Sequence, residues 1–308
     1  AATEVRESYI VLAQDNSSAL AISRAMSDGG LSVESTQLGA VDFVEVMLTA
    51  TQAATWSQFA GVRHIEVNQK VVPAVDQTIP APSGSDWSAA GNWGLDRIDQ
   101  ASSTYDSRYS YTTTGAGVDI YIIDTGIRRS HSEFAPASTR VAAGYYTPGL
   151  GSTDDGCGHG THVAGTIAAL DNGFGVVGMA PGNPLHIVKV FNDAGWGYSS
   201  DLAHAANKCS EAGAKIISMS LGGGGANSTE QNAFDQFTAN GGLVIAAAGN
   251  DGNSVRSYPA GYKSVMMIGA NDANNQIASF SQFPSCTVST GRGKNATTET
   301  HDGYCVEA

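Results

Sequence analysis

The 308 residues carry 16 Lys and Arg against 29 Asp and Glu, a formal charge of −13, with 42% apolar residues, 15% charged residues and 37 glycines. That length supports one large domain or two smaller ones around a sizeable core, and low charge with abundant glycine describes a turn-rich globule, not a disordered acidic tail. The acidic balance offers no basic field for nucleic acid, and no apolar run approaches the roughly eighteen residues of a membrane span.

The chain opens Ala1-Ala2-Thr3-Glu4, without an initiator Met or an apolar leader, as after removal of a signal segment or in a fragment. Ser8–Leu12 reads as a short apolar strand. Ser18–Met26 has helical spacing through Leu20, Ile22 and Met26, and Gly29-Gly30 stops it. Leu31–Leu38 supplies a second strand and Val41–Leu48 a third. Thr49 can cap a helix through Phe59, ended by Gly61, and Val62–Val67 is a fourth strand. The order β-α-β-β-α-β is that of a ferredoxin-like module. Residues 73–92 hold Pro73, Pro80, Pro82, Gly84 and several Ser, the composition of an exposed linker.

From Trp93 the pattern changes. Strands are expected at Val118–Ile123, His186–Phe191, Lys215–Leu221, Gly242–Ala248 and Ser264–Ala270, and helices at Thr161–Leu170, Ser200–Ala212 and Thr229–Ala239. Ser228 with Gln231 reads as a capping box for the third helix. The alternation predicts an α/β fold, a mainly parallel sheet with helices on both faces. Pro284–Ala308 is polar, with no helical or strand period. Cys157, Cys209, Cys286 and Cys305 lack zinc spacing; three pairings and free buried thiols all stay open. Sequons at Asn16, Asn227 and Asn295 accord with secretion.

In open parallel sheets, chemistry gathers at the carboxyl ends of strands. Three such places carry suggestive residues. The first predicted strand ends in Asp124-Thr125-Gly126, where a carboxylate in a glycine turn can orient an imidazole. His159, in Gly158-His159-Gly160-Thr161-His162, opens a helix whose positive end favours the neutral imidazole, a base. Asn250 closes Ala246-Ala247-Ala248-Gly249-Asn250 and can donate to a developing oxyanion. Taken singly, each also reads as a turn, a cap or a strand end; one chain holding all three in this order is far more specific.

These segments, with Ile217-Ser218-Met219-Ser220-Leu221-Gly222-Gly223 and Ala278-Ser279-Phe280-Ser281, resemble the subtilisin-like serine proteases, particularly the proteinase K branch, over roughly residues 93–283. The resemblance implies a secreted endopeptidase acting on protein or peptide substrates as a monomer. Asp124 would orient His159, His159 would act as general base and then acid, and Asn250 would stabilise the oxyanion. Gly195-Trp196-Gly197 and Ser220-Leu221-Gly222 resemble the two edges between which a substrate strand adds. Residues 1–75 resemble an inhibitory propeptide that occupies the cleft, which makes 76–92 a linker with the maturation site and 284–308 a divergent tail. The loop Leu170–Gly178 resembles a calcium loop, with Asn172 and Glu133 as oxygen ligands, and equally reads as a glycine-rich turn. No cofactor is expected for the chemistry.

One part of the family pattern does not occur. The nucleophile segment Gly-Thr-Ser-Met-Ala is not in these 308 residues, and Ser285 and Ser289 lack its context. A chain without that serine is expected to be inactive. The alternative to a protease precursor is a pseudoprotease, or a peptide-binding or propeptide-type inhibitor protein.

Overall fold

Strong apolar alternation at the start of the chain produces a sheet covered on both sides. A computed structural model describes residues 5–73, 93–99, 101, 105, 109–134, 140–142, 144–173, 175–290, 297–300 and 306. In its first part, β1 (Glu7–Ala13), α1 (Asn16–Asp28), β2 (Val33–Gln37), β3 (Phe43–Leu48), α2 (Ala50–Trp56) and β4 (Val62–Val67) build an antiparallel sheet in the order β2-β3-β1-β4. Asp15 caps α1 by accepting from Ser18 N at 2.8 Å, and Thr49 with Gln52 forms a capping box on α2. α2 stops at Trp56, short of Phe59, because Gln58 and Phe59 bond back three residues and tighten the last turn. Tyr9 and Val11 of β1 pack with Ala19, Ile22 and Met26 of α1. Their neighbours Ile10 and Leu12 point the other way, into a core shared with the rest of the chain.

That second part begins with β5 (Lys70–Pro73) and α3 (Trp93–Ile98). It continues with β6 (Ile120–Asp124), β7 (Tyr145–Tyr146), α4 (His159–Ala168), β8 (Leu185–Lys189), β9 (Gly197–Tyr198), α5 (Ser199–Glu211), β10 (Ile216–Met219), β11 (Leu221–Gly222), α6 (Ser228–Ala239), β12 (Leu243–Ala247) and β13 (Val265–Ile268). Six strands form one parallel sheet in the order β13-β12-β10-β6-β8-β7. Alternate residues of β6 serve opposite faces. Ile122 packs with Ala164 and Ala168 of α4, whereas Tyr121 and Ile123 join the cluster of Leu202, Ala206 and Phe234 from α5 and α6. The fold is therefore mixed α/β with a mainly parallel sheet and helices on both faces, as the alternation predicts.

Two local expectations are corrected, and the open state of the thiols is narrowed. α6 is capped by Asn227, whose side chain accepts from Glu230 N at 3.0 Å; Ser228 is its first helical residue, not its cap. The tail contains a hairpin, β14 (Thr287–Thr290) against β15 (Thr297–Thr300). Its threonines favour extended backbone, but β15 is exposed throughout, so no buried face imprints an alternation. Of the thiols, Cys157 is free and exposed, Cys209 is free and buried, and Cys286 is disulfide-bonded. The maturation region expected at 76–92 lies outside the described residues. Among the described residues, no helix is long and apolar enough to cross a membrane.

Candidate active site

The carboxyl end of β6 delivers Asp124 into a fully buried position. α4 starts at His159, two residues before the predicted Thr161, and its glycines explain the earlier start. Gly158 takes a left-handed φ of 97° just ahead of the helix. A Cβ on Gly160 would lie 2.2 Å from the Gly126 carbonyl oxygen, so glycine there lets the helix end press against the turn after β6. That approach sets His159 Nδ1 2.8 Å and 3.0 Å from the two carboxylate oxygens of Asp124. A carboxylate can only accept, so Nδ1 carries the hydrogen and Nε2 is left with the lone pair of a base.

His159 and Asn250 line one cavity of about 700 Å³. Its walls are apolar, with Val163 and Ile167 of α4 facing Ile245, Ala247 and Ile268 at the sheet, and Cys157, His162, Ser218 and Ser220 also reach it. Asn250 additionally borders a smaller recess with Val72, Pro73, Gly222 and Gly249. The two candidate substrate edges come together around β5, which lies between them. Leu221 and Gly222 of β11 pair antiparallel with Pro73 and Val72, and Gly197 and Tyr198 of β9 pair with Val71 and Lys70. Gly195 turns the chain into β9 with a φ of 74°. Lys70 Nζ sits 4.8 Å from the centre of the Trp196 ring. Val71 is buried, while Val72 is exposed.

The helices beneath this cleft are held by the first part of the chain. Asn68 Oδ1 accepts from Ser200 N at 3.0 Å, and Ser199 N donates to the Gln69 carbonyl, so the free N–H groups of α5 find partners. Glu66 does the same at α6, accepting from Ser228 N at 2.7 Å, Ser228 Oγ at 3.0 Å and Thr229 N at 2.7 Å. Glu230 lies behind it, 1% exposed; burial first, and then the Glu66 charge, push its carboxyl well above the ordinary range. Asn207 of α5 brackets Val41, donating to its carbonyl at 2.8 Å and accepting its N–H at 3.1 Å.

The expected calcium ligands also meet. Glu133 is buried, and its carboxylate accepts from Asn172 Nδ2 at 3.3 Å and Val176 N at 3.2 Å. Among the described residues, no group of three or more His, Cys, Asp and Glu surrounds a single point. A buried carboxylate that accepts from these neutral donors is chemically suited to a hard cation, with Asn172 contributing once its amide oxygen is turned inward.

A family model described as the subtilase family matches residues 115–300. The chain belongs to the subtilase family. The match runs past Phe283, where motif resemblance fades, into the tail hairpin. Among relatives, this subtilase is 41% identical to Subtilisin BL of Lederbergia lenta over 191 residues, 62% of this chain and 67% of that protein. It is 37% identical to the Extracellular serine proteinase of Thermus sp. (strain Rt41A) over 268 residues, 85% of this chain and 60% of that one. The crystal structure of fervidolysin from Fervidobacterium pennivorans, described as a keratinolytic enzyme related to subtilisin, superposes with a TM-score of 0.70 over 99% of this chain and 50% of its own, at 24% identity, a likeness of fold. The chain thus spans between half and two thirds of these proteins.

Sequence reasoning missed several residues of this site. Glu66 and Asn68 hold helix ends through partners more than 130 residues away, and Asp155 joins a helix start to Thr125, 30 residues before it; no periodic pattern marks them. His162, given no role from the sequence, lines the cavity beside His159.

Proposed function

We propose that the chain derives from a secreted, proteinase K-like serine endopeptidase precursor, in which residues 1–75 are the inhibitory propeptide and 93–283 the catalytic part. The observation that carries this reading is β5. An extended segment of the same chain fills the space between two strand edges and borders a recess with Asn250, which also lines the cavity of His159, as a peptide substrate would. Alternate β5 side chains point inward, so Val71 stands for a buried apolar substrate residue and Val72 for a solvent-facing one.

In the reaction, Asp124 holds the imidazole in the tautomer that leaves Nε2 free. His159 then removes a serine hydroxyl proton and later returns it to the leaving amine. Asn250 donates to the oxyanion, a contact whose loss typically costs about two to three orders of magnitude in rate. The serine itself is not among these residues, so this 308-residue chain does not hydrolyse peptides unaided. A hard cation such as calcium, held by Glu133 and Asn172, would brace the loop that follows α4.

The same facts favour a second reading, a peptide-binding pseudoprotease or propeptide-type inhibitor, since the cleft is built and filled while the nucleophile is missing. A fluorophosphonate probe and a casein assay decide activity: we expect neither labelling nor hydrolysis, and labelling at any serine overturns the inactive assignment. Titrating a peptide of residues 1–76 against an active subtilase tests inhibition. No effect at micromolar peptide removes both the inhibitor and the propeptide assignment.

A further inference from the structure

We infer that Asp155 is a positioning residue for the Asp124–His159 pair, acting through the Thr125 hydroxyl. The inference uses the protease reading for the purpose of the pair but not for its geometry.

Asp155 lies four residues before His159, in the loop that leads into α4. Its Oδ1 accepts from Gly158 N at 2.7 Å, Cys157 N at 3.1 Å and Thr125 Oγ1 at 2.8 Å. Its Oδ2 accepts from Thr161 N at 2.9 Å and Thr161 Oγ1 at 2.5 Å. Five donors on one carboxylate exceed what a helix cap needs, and three of them, the Thr125 and Thr161 hydroxyls and Cys157 N, come from outside the free N–H groups of the helix start. Burial opposes the charge, yet the hydrogen bonds from Thr161, Gly158 and Thr125 together hold the carboxyl below its ordinary range.

The Thr125 hydroxyl makes this more than a cap. It donates to Asp155 and accepts from Gly160 N at 2.9 Å, while Thr125 N donates to Asp124 Oδ1 at 2.6 Å. One residue therefore joins both halves of the pair. Its backbone holds the Asp124 carboxylate, and its side chain holds the peptide that follows His159. Gly158, the residue before α4, has no side chain with which to cap it, so the anion that satisfies the helix start is supplied by Asp155. With Asp155 ionised, the Thr125 hydrogen is committed to it, which leaves the hydroxyl lone pairs for Gly160 N. A neutral amide at 155 would offer N–H groups to N–H donors and free Thr125 to rotate. Asp155 also places negative charge on the positive end of α4, which offsets the field expected to oppose an imidazolium at His159.

The test is the low-field proton resonance of the His159 Nδ1–H···Asp124 hydrogen bond, followed in the full chain by NMR. We expect a sharp resonance in the wild type and in Thr125→Ser, which keeps the bridging hydroxyl. We expect it to broaden beyond detection in Asp155→Asn and in Thr125→Val, although Thr125→Val leaves the bonds from residues 157, 158 and 161 to Asp155 intact. If Asp155→Asn fails to fold, the two Thr125 variants still decide. A sharp resonance in a Thr125→Val chain with wild-type circular dichroism overturns the inference, as does its loss in Thr125→Ser or its absence from the wild type. None of these readouts depends on hydrolysis, so their failure is separable from failure of the protease reading.

Discussion

At the scale of single residues, the site is governed by close approach. The Gly126 turn and the Gly160 helix end touch with no room for a methyl group, and the Asp–His distance depends on that contact. Gly160→Ala is therefore expected to destabilise the chain by about 1–3 kcal/mol, a cost of overpacking that helix propensity at this position does not repay. Urea unfolding followed by circular dichroism checks this; an unchanged midpoint would show that the turn yields freely. Glu133 gives a second residue-scale prediction. If its buried carboxylate takes calcium, free calcium at about a hundredfold over its dissociation constant stabilises the folded chain by about 2.7 kcal/mol. Thermal melts with calcium and with chelator should differ for the wild type and coincide for Glu133→Gln. The dyad of Asp124 and His159, and with it Asn250, was legible in the sequence because each closes or opens an element with strong local signals. Asp155 was not, because its value lies in a rotamer and in partners 30 residues back at Thr125.

At the scale of elements, helix starts are where sequence and structure part most. Ser228 and Gln231 have the right letters at the right spacing, yet Asn227 takes the cap, since Glu66 already occupies the Ser228 N–H and hydroxyl. A local motif was overruled by a carboxylate 162 residues earlier. Asn227→Ala is expected to cost about 0.5–2 kcal/mol. Ser228→Ala, which leaves its N–H bonded to Glu66, should cost less, and guanidinium unfolding of the two variants will rank them. The main strands were readable because each is a dense apolar run buried on two faces. β7, two exposed tyrosines, carried no such run, and β9 and β11 surfaced only through family resemblance, since two-residue strands have no period to detect.

At the scale of the whole molecule, two parts of the chain share one core and bring carboxylates together beside it. Ile10, Leu12, Phe43 and Val71 of the first part pack with Leu202, Ala206 and Phe234 of the second. Beside that apolar contact, Glu66 faces Glu230, with Tyr262 also in the pocket and His64 Nε2 3.7 Å from Glu66 on the solvent side. Neighbouring α5 adds Asp201, which burial and then Glu45 push up to about 7. Both carboxylic acids bind protons more tightly docked than separated. Docking is therefore firmest below the ordinary carboxylate range and loosens as pH rises through the raised values, by up to about tenfold per pH unit for each group. Amide hydrogen exchange at Val71 and Leu221, corrected for intrinsic base catalysis, should accelerate with pH in the wild type and flatten in Glu230→Gln. Equal slopes in the two chains would dismiss the contribution of Glu230.

The strand β5 has a further consequence as a competitor. Because it is tethered to the cleft it fills, its local concentration is fixed by geometry and not by how much peptide is in solution. A free peptide must exceed that concentration, or bind correspondingly more tightly, before it displaces residues 70–73. A break in the backbone beyond Pro73 would remove the advantage without altering one contact. The occupant would then be subject to dilution, and the cleft would pass from permanently filled to filled only in proportion to how much of the released segment remains nearby.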